Sequence, residues 1–119
     1  MTIKSNAAFT SFPDYVEDTS VTATAVIDVF RGTGNVTMFQ IVNGSAAAWF
    51  SIFDATEVTL TAPATSTDAV LEIPEAASTT LICSCNIEFS NAVSYAATVS
   101  PGGYDNPTQT VALTMVGAP

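Results

Sequence analysis

Leu81, Cys83, Cys85, Ile87 and Phe89 occupy every second position of one unbroken run, with Thr80, Ser84, Asn86 and Glu88 on the alternate positions. Successive side chains of an extended strand point to opposite faces, so this run lays an apolar row on one side and a largely polar row on the other. Eight stretches of the chain show this period of two, and almost nothing shows the period of an amphipathic helix. The pattern predicts an all-β fold of half-buried antiparallel strands, one face on a core and the other toward water or a partner.

Turn signals divide the remaining strands. Val21, Ala23, Ala25, Ile27 and Val29 share a face before Gly32-Thr33-Gly34-Asn35. Val36 to Val42 and Ala46 to Phe53 read as a hairpin joined at Asn43-Gly44, a dipeptide that accepts the positive φ of tight hairpin turns. That hairpin would put Phe39, Ile41, Ala48, Phe50 and Ile52 on the core face and Met38, Gln40, Trp49 and Ser51 on the other. Thr56 to Thr61, Ala69 to Ile73, a strand carrying Val93, Tyr95, Ala97 and Val99, and a last one carrying Val111, Leu113 and Met115 complete the set. Eight short strands without βαβ spacing predict an antiparallel β-sandwich or jelly roll. Its expected core is Phe39, Ile41, Phe50, Ile52, Leu81, Cys83, Ile87, Phe89, Tyr95 and Leu113.

The first twenty residues read differently. Phe9, Phe12 and Tyr15 scatter around Pro13 and lead to the acidic turn Glu17-Asp18-Thr19-Ser20, without alternation. The organisation expected is an extended N-terminal arm, residues 1–20, followed by a sandwich domain, residues 21–119. Rings so placed need cover. Phe9, Phe12, Tyr15, Met38 and Trp49 are therefore the expected interface residues, the arm docking on another subunit and the Met38 and Trp49 face being covered by such a contact. The competing arrangement folds the arm back over its own domain.

Composition bounds the partners. The 119 residues suit one domain with its own core. Only 11% of them are charged, against about 25% in an ordinary soluble domain. Ala, Thr, Ser and Val take the place of the missing charges, and such a surface loses little side-chain entropy when another surface covers it. Two basic residues, Lys4 and Arg31, stand against eleven acidic ones, a net charge of -9. Nucleic acid and anionic membrane are disfavoured as partners by that sign. No apolar run is long enough to span a bilayer, and the first residues carry no secretory signal, so synthesis in a cytoplasm is expected.

Catalytic chemistry finds little support. The chain has no His, which removes the usual general base and the commonest transition-metal ligand. Asp54, Glu57, Asp68, Glu72, Glu75 and Glu88 fall at turns or on the outer phase of strands, as solvated carboxylates do. Cys83 and Cys85 lie on one face of a strand about 6.5–7 Å apart, too far for an easy disulfide, and read as buried free thiols. Asp105 and Asn106 in a Gly-rich loop could offer oxygens to calcium, but the Asp-x-Asp-x-Asp-Gly cassette is missing. Asn43-Gly44-Ser45 fits a glycosylation triplet, and its expected meaning is the turn. The expectation is a protein that is no enzyme and holds no cofactor or metal.

The stretch Val36 through Asp54, with Asn43 at its turn and Ala46-Ala47-Ala48-Trp49-Phe50-Ser51-Ile52-Phe53-Asp54 after it, resembles small structural proteins of tailed bacteriophages. Val70-Leu71-Glu72-Ile73-Pro74 matches their short Pro-flanked strand, and Phe89-Ser90-Asn91-Ala92-Val93-Ser94-Tyr95-Ala96-Ala97-Thr98 their closing feature, with Ala92 where a Gly commonly stands. The resemblance covers roughly residues 34 to 116 and leaves the arm unmatched. It implies a virion component, a capsid cement or decoration protein bound to the major capsid protein on the outside of the head, assembled in the host cytoplasm and homotrimeric. The alternative is a binding module at the tail or fibre base, holding an adaptor or a host glycan through loops such as the one bearing Tyr104.

Overall fold

The computed structural model describes residues 2–4, 14–30, 33–44, 46–58, 70–99 and 105–118, with the backbone alone at Thr2–Lys4, Asp14, Glu72 and Ala118. The described residues form eight strands and no helix. In order these are β1 (Thr2–Lys4), β2 (Asp14–Asp18), β3 (Gly34–Asn43), β4 (Ala48–Asp54), β5 (Leu71–Glu75), β6 (Thr80–Phe89), β7 (Val93–Thr98) and β8 (Val111–Ala118). They make two antiparallel sheets, one of five strands ordered β1-β2-β8-β3-β6 and one of three ordered β5-β4-β7. The all-β class expected from the period-two pattern is the class observed.

The core lies between the sheets. Val36, Phe39, Ile41, Leu113, Met115 and Val16 from the large sheet cluster with Phe50, Ile52, Val93, Tyr95 and Ala97 from the small one. The rings of Phe50 and Tyr95 stack with centroids 6.0 Å apart. Of the expected core, Phe39, Ile41, Phe50, Ile52, Phe89, Tyr95 and Leu113 are buried, whereas Leu81, Cys83 and Ile87 are only half-buried. Those three sit on β6, an edge strand, where no neighbouring strand covers one flank of each side chain. Against β8, β3 carries a bulge between Val36 and Met38, two steps of β3 matching one of β8, so that Val36 and Phe39 both reach the core.

The Asn43-Gly44 hairpin is not formed. β3 belongs to the large sheet and β4 to the small one, so residues 44–47 carry the chain across the sandwich. Gly44 keeps a φ outside the left-handed region that a tight hairpin turn requires. Its N–H donates to the Thr110 carbonyl at 3.0 Å and its own carbonyl accepts from Ser78 N at 2.6 Å. The buried Asn43 side chain fixes the crossover: Nδ2 donates toward the carbonyls of Ala46 (2.8 Å), Ala76 (3.0 Å) and Glu75 (3.2 Å), and Oδ1 accepts from Gln109 Nε2 at 2.7 Å. A residue expected to bend a turn instead holds three segments together.

Residues 14–18, expected in an arm outside the sandwich, form β2 within it. β2 pairs with β8 in the register Tyr15↔Val116 and Val16↔Met115, and β1 pairs with β2. Val16 is fully buried. Two inward positions, Val16 and Asp18, are too few for a period-two signal, and the second is a carboxylate whose burial depends on a partner 77 residues away, Tyr95. Conversely, Val21 to Val29 alternate but form no strand. They run along the open edge of β7 through Ala97 N to Thr22 O (2.9 Å), a two-way exchange between Val26 and Tyr95, and Val29 N to Val93 O (2.9 Å). Asp28, at φ 49°, breaks the extended backbone there. Ala55 to Val58 carry no strand either, and the rest of the Thr56 to Thr61 expectation lies outside the described residues. The strand expected over Ala69 to Ile73 is β5, which starts at Leu71 and includes Pro74 and Glu75.

Candidate interaction surface

The outer faces of the two sheets differ. On the small sheet Ser51, Phe53, Ser94, Ala96 and Thr98 point away from the core and are nevertheless buried. On the large sheet every described outward side chain of the central strands is half-buried or exposed. Backbone register orders that face into rows. Tyr15, Val116, Met38 and Ser84 lie side by side across β2, β8, β3 and β6, and Glu17, Thr114, Gln40 and Ile82 form the next row. Ala112, Val42 and Thr80 follow. Val42 is 42% and Ile82 65% exposed. Among the described side chains, Glu17 and Glu88 carry the charge of this face from opposite sides of it, on β2 and β6, and the Tyr15 hydroxyl donates to Glu17 Oε2 at 3.2 Å.

Two of the expected interface residues come together here: Tyr15 and Met38 flank Val116 from the two sides. Trp49 does not join them. It is half-buried on β4, on the outer side of the other sheet, because β3 and β4 lie in different layers. The expected shared face of Met38 and Trp49 rested on the hairpin and falls with it. Phe9 and Phe12 lie outside the described residues. Val116, Val42 and Ile82 were missed as surface residues, although each directly follows a core-facing apolar residue, Met115, Ile41 and Leu81 respectively, in its strand. That phase was the available signal.

The residues with catalytic or ligating potential are held in structural roles. The Asp54 carboxylate accepts from the backbone N–H of Asn91 (2.8 Å), Ala92 (3.1 Å) and Ser90 (3.2 Å) and from the Ser90 hydroxyl (3.1 Å), capping the turn from β6 to β7. Partial desolvation pulls this carboxyl up, but the donors together outweigh it and hold it below the usual carboxylate value. Glu75 is buried and accepts from the Thr79 hydroxyl at 2.8 Å. Asn106 Oδ1 accepts from Ala23 N at 2.9 Å, which anchors the segment along β7. Burial pushes the Cys85 thiol up, with the neighbouring Cys83 adding to the effect, so Cys85 is a poor nucleophile. Among the described residues no group of three or more His, Cys, Asp or Glu is arranged to hold a metal. No buried side-chain polar atom among them lacks a hydrogen-bond partner. A shallow open depression between Thr33-Gly34-Asn35 and Glu88-Phe89-Ser90 offers Glu88 as its single ionisable lining residue among those described.

No family model, curated protein or solved structure matches this chain.

Proposed function

We propose that this protein is a non-enzymatic structural component of a tailed-phage virion, a cement or decoration protein that lies on the outer surface of the head and holds neighbouring copies of the major capsid protein. One observation carries the reading: the large sheet presents a face on which Tyr15, Met38, Val42, Val116 and Ile82 stand among Thr, Ser, Gln and Ala. In a chain of net charge -9, that face is conspicuously poor in carboxylates. Burial of each such apolar side chain contributes about 1.5–3 kcal/mol, so contact by a few of them suffices for stable attachment. The sequence resemblance supplies the virion, and the acidic remainder of the surface keeps the protein off packaged DNA.

Cosedimentation with phage heads lacking this chain tests the proposal. The recombinant protein is expected to bind to saturation and to raise the temperature at which the heads rupture. Met38→Glu and Val42→Glu, which place a carboxylate in the middle of the face, should each weaken binding at least tenfold, equivalent to about 1.4 kcal/mol, with an unchanged far-UV spectrum. Full binding by both variants, or immunogold label on tails and not on heads, would overturn it.

A further inference from the structure

Among the described residues, every sheet edge but that of β6 is short, carries Pro or is bonded by another segment. β1 is a short strand of three residues, β5 has five and carries Pro74, and the edge of β7 is bonded by residues 22–29. β6 is ten residues long and lies at the end of the large sheet. It contains no Pro, Lys or Arg, although its pairing with β3 shifts register where Cys85 and Asn86 oppose Thr37 alone. Natural proteins blunt exposed edges with such devices because unpaired N–H and C=O groups recruit another strand.

The hydrogen-bonding phase of this edge is fixed. Asn43 N donates to Thr79 O at 2.9 Å in line with the Ile41↔Leu81 and Phe39↔Cys83 pairs, so Leu81 and Cys83 of β6 exchange backbone bonds with β3. Ile82 and Ser84, which precede the register shift, therefore direct their N–H and C=O groups off the sheet. The strand is also near-palindromic about Ser84: Cys83 mirrors Cys85, and Leu81 mirrors Ile87. Self-complementarity of this kind is what an isologous twofold contact requires.

We propose that β6 is a dimerisation edge, two copies pairing their β6 strands antiparallel about a twofold axis at Ser84 so that their large sheets become one. Ser84 then forms a bonded pair with Ser84 of the second copy, and Ile82 lies opposite Asn86. The odd residues fall at the non-bonded positions, where side chains approach most closely. Leu81 meets Ile87 of the second copy and completes the burial that the edge position denies both. Cys83 meets Cys85 of the second copy at a Cα separation of about 4.5–5.5 Å, within the range that a disulfide spans. The contact is twofold and does not close the ring of three that the resemblance implies. It is independent of the virion role.

Disulfide trapping on the full chain reads the register directly. Diamide removes two electrons and two protons from each facing thiol pair, joining the sulfurs and becoming the hydrazine. The natural protein is expected to sediment as a dimer at high micromolar concentration and to convert to a covalent dimer with diamide. Cys83→Ala alone and Cys85→Ala alone should give none, because each faces only Ala, whereas an equimolar mixture of the two should give the covalent dimer. Ser84→Lys, which places two ammonium groups on the axis at an exposed position, should sediment as a folded monomer. A natural protein that stays monomeric, or a covalent dimer from Cys83→Ala by itself, would overturn the proposal.

Discussion

The Tyr95 hydroxyl donates a 2.8 Å hydrogen bond to the Asp18 carboxylate inside the sandwich, tying β7 of the small sheet to β2 of the large one. Asp18 is 5% exposed, and its other oxygen accepts from Ser20 N at 3.0 Å. The bond makes a charged residue affordable in the interior and fastens the N-terminal strand to the far layer.

Tyr95→Phe keeps the ring and removes the donor, and is expected to cost about 1.5–3 kcal/mol in urea unfolding at neutral pH, as loss of a hydrogen bond to a charged group does. Burial first, then the Asp18 hydrogen bond and charge, raise the Tyr95 hydroxyl above its ordinary value of 10.0. A raised acid loses stability as pH climbs past the unfolded value, because only the unfolded chain then releases the proton. Ionisation of this group should therefore leave stability unchanged up to about pH 9 and lower it progressively from about pH 10 upward, and the fall should be shallower in Tyr95→Phe.

Asn43 offers a second test. Asn43→Ala leaves Gln109 Nε2 and the crossover carbonyls without their shared partner and should cost about 1–3 kcal/mol. Asn43→Asp has the same shape but turns a carboxylate toward the carbonyls of Ala46, Glu75 and Ala76. Its folded-state pKa is raised by those oxygens, so the deficit should deepen as pH rises above about 4 and shrink below it. Denaturation midpoints at about pH 3.5 and about pH 7 distinguish the two variants.

Gly117 is required by close approach. A Cβ there would stand 2.8 Å from Phe30 Cε2 and 2.9 Å from Cζ, so the Phe30 ring packs directly on the backbone of β8. Gly117→Ala should cost about 1–3 kcal/mol as overpacking, and Phe30→Leu in the same chain should recover part of that loss. A double-mutant cycle with additive effects would show that the ring does not hold this position.

How much of this was legible depends on the range of each interaction. β6 and β7 were readable because their side-chain phase is local, and Phe50, Ile52 and Tyr95 fell on the core face as their alternation predicts. The crossover at Asn43 was not readable, because a hairpin and a sheet-to-sheet connection use the same flanking alternation. Only the contacts of Asn43 with Glu75, Ala76 and Gln109, 32 to 66 residues away, distinguish them. β2 was lost for the same reason, since its inward Asp18 looks like a turn residue until Tyr95 is placed beside it. Val21 to Val29 show the converse: a regular pattern whose backbone is interrupted by a single positive φ at Asp28. The interaction surface was half legible. Tyr15 and Met38 were named, while Trp49 was placed beside Met38 through the wrong connection.

Asp54 supplies the last prediction. Its carboxylate receives three backbone N–H groups and one hydroxyl from residues 90–92, and so locks the end of β4 to the turn that launches β7. The site is solvated, which keeps the net contribution small, and Asp54→Ala should lower stability by roughly 0.5–1.5 kcal/mol at neutral pH. The donors hold the folded-state pKa below the ordinary 3.8, so the stabilisation is present above that value and is lost as pH falls through the folded one. The gap between the natural chain and Asp54→Ala should accordingly be constant from about pH 5 to about pH 8 and narrow progressively below about pH 3.8. Urea midpoints measured across that range check it, and a gap that widens toward acid would show that the cap binds a protonated Asp54.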